Sequence, residues 1–329
     1  MNSSTVLPPY PIVYAILSNE SPLTIAKGFR IRIGVGLIIK GIHYGLTLLY
    51  SYHLPLFDIE ETNNGFIFKK AFGSLRGIEC VFNEKDLETI CESPHRFTSE
   101  LSNALGLDRL YLFKEICGIT GIHKCIAENI TLIHNELDKQ LVFYTIYLSR
   151  NTDYYVNTVR WVQELLRKGY ISSNSYIARD FMSKKDIIDE VYSSTVDRLS
   201  EIVRLLSIHG VGVKSIKAYL LHAYGDTVHA PIDRYYARFL GQDIKVSVDK
   251  NRCLKRGLNC ERCSSTCPYA FSMERFNVLN GVVQSLVYIY NRLRLHRRSR
   301  LEEILVKDPS VYLDGLEHLI KNLELIKYP

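Results

Sequence analysis

The chain has 329 residues, of which 47% are apolar and 23% charged, and its mean hydropathy is −0.03. That composition supplies core material for two or three globular units and excludes both a wholly disordered chain and a polytopic membrane protein. The formal charge of +6 fits a polyanionic partner only if it is concentrated on one face.

The first residues, MNSSTVLPPYPIVYAILSNE, lack a basic start ahead of an apolar core and read as mature protein rather than a secretory leader. The most apolar stretch, residues 33–56, is interrupted by Lys40, His43 and His53 and falls short of the roughly 20 residues a spanning helix needs. No membrane segment is therefore expected. From 29 to about 81 the pattern is strand-like: FRIRIGVGLIIKG, then IHYGLTLLYSYHL, then GFIFKKAF, with Asn64-Gly65 as a hairpin signal. Gly34 and Gly36 lack the third glycine and following helix of a phosphate loop and read as strand glycines.

From about Asp86 the periodicity becomes helical. It predicts helices over 87–91, 99–104, 109–116, 122–135, 139–148, 155–168, 185–192, 196–206, 213–224 and 234–240, then two or three more over 271–328. The fold class is thus α+β. An antiparallel sheet domain is expected over 1–100, a helical domain over 101–245, and a cysteine loop with C-terminal helices over 246–329.

Chemistry concentrates in VDRLSEIVRLLSIHGVGVKSIKAYLLHAYG. An amphipathic helix, a Gly210-Val211-Gly212 turn and a second helix from Val213 form a helix-hairpin-helix pattern. The glycines permit positive φ and close approach, while the second helix's free N–H groups suit a phosphate; a plain helix corner would carry the same punctuation. Lys214 lies in the first turn of that second helix, where the dipole disfavours its ammonium form and assists an amine nucleophile, although taken alone it reads equally as an exposed surface lysine. Asp233, just past Pro231, has the position of an N-cap and of a carboxylate able to stabilise a cationic sugar.

Cys253-x6-Cys260-x2-Cys263-x3-Cys267 clusters four of the eight cysteines, as in a metal site of a reducing compartment; from spacing alone zinc and an iron–sulfur cluster fit equally. Cys80, Cys91, Cys117 and Cys125 have no ligand spacing and read as buried thiols. Lys245, Lys250, Arg252, Lys255, Arg256 and Arg262 surround the cysteines as expected phosphate contacts, and a second basic run, LRLHRRSR, reads equally as a DNA contact or a solvated face.

GVGVKS, PIDRYYARFL and the cysteine cluster, preceded by LSRNTDYYVNTVRWVQELL, occur in the order found in base-excision DNA glycosylases of the helix-hairpin-helix superfamily. The chain resembles their endonuclease III branch over about 143–267. The resemblance implies that Lys214 is a Schiff-base nucleophile, Asp233 the catalytic carboxylate, and the cysteines ligands of a [4Fe-4S] cluster rather than zinc. It also implies DNA contacts from Arg150, Asn151, His209, Gly210, Gly212 and Val213, together with Arg252, Lys255 and Arg256. Three features depart from the branch. Arg150 stands where the family has a base-probing Gln, His209 replaces a proline, and the sheet-like first hundred residues look more like 8-oxoguanine and alkyladenine glycosylases. The expected protein is a monomeric glycosylase and AP lyase acting on double-stranded DNA with a damaged, oxidised base or an abasic site, in the nucleoid-bearing cytoplasm or the nucleus. The competing classes are a DNA-binding module with structural zinc and a monofunctional glycosylase, which would lack the lysine.

Overall fold

The computed structural model describes residues 12–16, 35–241, 248–263 and 267–326; the strand expectation at 29–34, Lys245 and the cysteine spacer 264–266 lie outside them. Six antiparallel strands form one sheet: β1 (Ile12–Ile16), β2 (Val35–Lys40), β3 (Phe57–Thr62), β4 (Gly65–Lys70), β5 (Glu79–Asn83) and β6 (Glu88–Ser93), in the order β1-β2-β6-β5-β4-β3. Along β5 and β6 the period-two pattern sends Cys80, Phe82, Thr89 and Cys91 inward and Val81 and Ile90 to solvent. Thr62 pairs with Gly65, so the hairpin loop is Asn63-Asn64, one residue earlier than expected. Gly65 is instead a strand residue, and a β-carbon there would collide with the Phe82 carbonyl.

The helices are α1 (Tyr44–Leu49), α2 (Ser99–Ala104), α3 (Leu110–Thr120), α4 (Lys139–Leu148), α5 (Val159–Lys168), α6 (Tyr176–Ser194) and α7 (Arg198–Ser207). There follow α8 (Val213–Tyr224), α9 (Arg234–Phe239), α10 (Lys250–Lys255), α11 (Pro268–Phe276), α12 (Asn280–Leu293), α13 (Arg300–Leu305) and α14 (Ser310–Leu325). The sequence expectation needs five corrections. The strand-like IHYGLTLLYSYHL contains α1, whose six residues are all buried, so its apolar run reflects enclosure from every side rather than a sheet face. Residues 88–91 belong to β6, with Leu87 in the turn before it, and 122–135 form only a short 3₁₀ turn, Ile126–Asn129, in an irregular segment that is exposed at His123 and Lys124 and buried over most of 125–135. Residues after 267 form four helices rather than two or three. Lastly, the four dispersed cysteines are paired: Cys80–Cys91 joins directly opposed residues of β5 and β6, and Cys117–Cys125 links α3 to the segment after it.

One core joins the buried sheet face, α1 and α3 to α12, α13 and α14; a second packs α4, α5, α6, α7 and α8. A small third cluster of Val213, Cys260, Tyr269 and Ala270 lies beneath the cysteine loop. Lys70 of β4 and Asp138, at the start of α4, form a fully buried ion pair at 2.6 Å that fixes the sheet against the second core. Among the described residues, no helix is long and apolar enough to cross a membrane.

Candidate active site

The hairpin forms as its sequence dictates. Ile202, Leu205 and Leu206 bury one face of α7, the Val211 N–H closes the turn on the Ile208 carbonyl at 3.1 Å, and Gly210 takes a φ of +87°. A β-carbon on Gly210 would also fall 2.5 Å from the Arg150 guanidinium. Gly212 does not use positive φ: it is extended, at −110°, with open space around it. No side chain caps the first turn of α8, so its N–H groups are available to an anion. His209 and Gly210 are exposed beside it, whereas the Val213 side chain is buried toward the cysteines.

A cavity of about 650 Å³ opens next to the hairpin, and both Lys214 and Asp233 line it. Lys214 is exposed at the mouth together with Asn151, which adopts a left-handed φ of +52°. Asp233 is the N-cap of α9: its Oδ1 accepts from the N–H groups of Tyr235 and Tyr236, each at 2.8 Å, and its Oδ2 accepts from Gln284 Nε2 at 3.1 Å. The cap thereby holds the carboxylate on the cavity wall.

Gln284, Tyr288 and Arg292 reach the cavity from α12, Tyr52 and Tyr154 from the far side, and Ala218 and His222 from α8 below Lys214. Arg292 is held there by a 3.0 Å bond to Glu302 and by the Tyr155 ring, 4.7 Å from its guanidinium. Of these residues only Ala218 and His222 had a readable signal, lying four and eight residues after Lys214 on one helix stripe. Tyr52 and Gln284 are brought in by the tertiary fold alone.

Arg150 also borders the cavity, but its guanidinium is engaged. It bonds to the Gly210 carbonyl, to the Tyr147 carbonyl at 2.9 Å and to Asp180 at 2.9 Å, and it lies over the Tyr147 ring at 3.6 Å. Lys184 and Arg150 beside Asp180, with the Tyr147 hydroxyl, hold that carboxyl down at about 2 despite partial burial. Here Arg150 is a brace between α4, α6 and the hairpin, not a side chain free to be inserted between bases.

Arg252 and Lys255 are exposed on α10, and Lys250 ties that helix to the hairpin through the Ile208 carbonyl at 3.3 Å. Arg256 turns inward to the Arg262 carbonyl and to Cys263 Sγ at 3.2 Å, which removes it from the outward-facing set. In the second basic run and just before it, Arg292, Arg298 and Arg300 bond to Glu302, to the Glu302 and Val306 carbonyls, and to Glu61; Arg294 and Arg297 are exposed.

The four clustered cysteines are free and line one pocket with Val213, Lys217 and Tyr269. Lys217 is 2% exposed, with Nζ 3.2 Å from Cys260 Sγ and 3.0 Å from His229 Nδ1. Burial first, then the neighbouring sulfurs, pushes the Cys253 thiol up to about 11, so four thiolates require a cation among them. A buried ammonium and an arginine aimed at the sulfurs suit a thiolate-bound group of net negative charge. In the conformation seen, no three His, Cys, Asp or Glu side chains among the described residues are set to hold a single metal ion.

No protein-family model matches the chain, and no curated protein does. Among solved structures it is similar to MBOgg1 in complex with a low-affinity DNA ligand, at 15% identity over 78% of this chain and 95% of that one, with a TM-score of 0.48. It is also similar to the Clostridium acetobutylicum 8-oxoguanine glycosylase/lyase in complex with double-stranded DNA containing cytosine opposite 8-oxoguanine. There the identity is 14% over the same shares, with a TM-score of 0.48. Similarity at this level fixes neither a shared fold nor a shared activity.

Proposed function

We propose that the protein is a DNA glycosylase with AP lyase activity, acting on duplex DNA that holds a damaged base or an abasic site. The observation that carries this reading is the convergence of Lys214 and Asp233 on one cavity beside a hairpin helix with an uncapped first turn. Phosphate binds at the start of α8 and at Arg252 and Lys255, and the damaged nucleotide leaves the stack to enter the cavity. The neutral Lys214 amine attacks C1′, and the C1′–N bond breaks with its electron pair leaving on the base, which takes up a proton. Asp233 faces the positive charge that develops on the sugar. The sugar ring opens as the C1′–N bond to lysine becomes an imine, a C2′ proton is lost, and the 3′ phosphate departs by β-elimination.

The cysteine loop and the hairpin support the endonuclease III-like assignment, while the sheet domain is the part closest to the 8-oxoguanine and alkyladenine glycosylases. Cys253, Cys260, Cys263 and Cys267 would hold a [4Fe-4S] cluster, which would supply a structural staple for the loop that carries Arg252 and Lys255.

Borohydride added during reaction with an abasic-site duplex tests the reading. Wild type should become cross-linked to the strand, and Lys214→Gln should lose both cross-linking and cleavage while still binding DNA. Undiminished trapping by Lys214→Gln would assign the nucleophile elsewhere, and no trapping by wild type would favour a DNA-binding module.

A further inference from the structure

The cavity runs from exposed Lys214 to a floor in which Tyr50, Ala218, His222 and Gln284 are all buried. Lys214, Ala218 and His222 recur every four residues, so they lie along one face of α8, and the eight-residue step from the first to the last rises about 12 Å. Because helical side chains tilt toward the N-terminus, the His222 ring leans back toward the space beneath the nucleophile.

His222 is 2% exposed, and its Nδ1 is a buried nitrogen without a hydrogen-bond partner. Two of the polar groups around it are already engaged. Tyr50 donates to the Thr131 carbonyl, and Gln284 Nε2 donates to Asp233. The rings of Tyr52 and Tyr50 stand 4.9 and 6.0 Å from the imidazole, edge-on and tilted. The His222 backbone is also fixed, because its carbonyl accepts from His53 Nε2 at 2.8 Å. Burial, with His53 and His134 nearby, pushes the His222 pKa well below the ordinary histidine value. The ring is therefore neutral, and in either tautomer one nitrogen donates and the other accepts. An unpartnered polar nitrogen at this depth is costly, and a ligand that pairs with it recovers that cost.

We infer that His222 is a specificity-determining residue that reads the edge of the flipped base remote from the sugar, its free ring nitrogen accepting a hydrogen bond from bases that carry an N–H there. The inference rests on the glycosylase reading above. Alkylated bases without such an edge leave the imidazole unpaired and are rejected.

The test uses the full-length protein on five duplexes. Three carry a lactam-edged lesion (8-oxoguanine opposite cytosine, thymine glycol opposite adenine, 5-hydroxyuracil opposite guanine), one carries 1,N6-ethenoadenine, and one carries a preformed abasic site with no base to read. The readout is the ratio of single-turnover base release to abasic-site cleavage in the same preparation, which does not depend on the folded fraction. Wild type should release at least one lactam-edged base and not ethenoadenine. His222→Met should lower the ratio about 10- to 100-fold for that base, and His222→Gln, which keeps a donor and an acceptor, should recover part of it. An unchanged ratio in His222→Met, including an equal loss on both substrates, would overturn the inference, as would preferred release of ethenoadenine. Wild type that cleaves the abasic site but releases none of the bases would overturn the inference and the glycosylase half of the proposed function. Wild type that does neither would overturn the proposed function itself.

Discussion

Replacing Asp233 by Asn separates the two tasks of that carboxylate. Its Oδ1 caps α9 through two 2.8 Å bonds, and its Oδ2 receives the Gln284 amide at 3.1 Å. An asparagine can keep its oxygen on the two N–H groups and turn its NH₂ toward Gln284, whose amide can flip to accept. The cap is then retained, and the cost to stability should stay below about 1 kcal/mol, against about 1–2 kcal/mol for Asp233→Ala, which loses the cap. The charge, however, is lost. A unit negative charge about 4 Å from a developing sugar cation is worth about 4 kcal/mol at an effective dielectric of about 20, or roughly three orders of magnitude in rate. Single-turnover base release should therefore fall about 1000-fold in Asp233→Asn, with a much smaller loss on a preformed abasic site and a melting temperature near wild type. Base release within about tenfold of wild type would refute the electrostatic role. A melting temperature as low as that of Asp233→Ala would refute the amide-exchange argument.

Removing the carboxylate of the buried Lys70–Asp138 pair with Asp138→Asn should cost about 3–5 kcal/mol in denaturant unfolding, while Lys70→Met with Asp138→Leu should cost less than the single change; the reverse order would contradict a desolvated pair. Because Arg150 braces the hairpin, Arg150→Ala should lower activity by the same factor opposite all four bases, and a factor that varies with the opposite base would restore an insertion role. His53 is pushed down to about 4 and His229 to about 3, chiefly by burial, so the unfolded chain takes up protons from about pH 6.5 while the folded chain does not. Stability should accordingly fall as pH drops from about 6.5 toward 4 and be flat above it; equal unfolding free energies at pH 7 and 5 would count against this. Protein purified without oxygen should be brown with about four irons per chain, and colourless protein with one zinc per chain would assign the cysteines to zinc.

The helices that carry the candidate chemistry were the most legible. The bounds of α4 and α8 match the expectation because each is long enough to show more than two helical periods, and α8 lies between the Gly210-Val211-Gly212 turn and Gly225. The six residues of α1 are too few to show such a period and read as a strand, and the apolar run 125–135 reads as a helix although most of it is irregular and buried. The strand β6 was misread because its five-residue apolar pattern is too short to separate a period of two from one of 3.6. The cysteine cluster is legible from its own spacing, whereas Lys214 and Asp233 stand out only through the ordered set of motifs on which the family resemblance rests. Tyr52, Gln284 and Arg292 lie far from them in sequence and become cavity walls only through the packing of α12 and the sheet domain against the hairpin.

Helix α8 is a partition with a different neighbour on each side. Lys214, Ala218 and His222 face the cavity, while Val213 and Lys217 face the cysteines. Its first half is anchored by Lys217 and its last turn by the His53 bond to the His222 carbonyl. Each residue in a helix advances the face by about 100°, so inserting or deleting one residue between 214 and 222 would turn His222 out of the cavity or Lys217 out of the cysteine pocket. The length of this helix is thereby frozen, and its part in any drift of what the cavity admits is confined to exchange of side chains, within an unchanged count of residues.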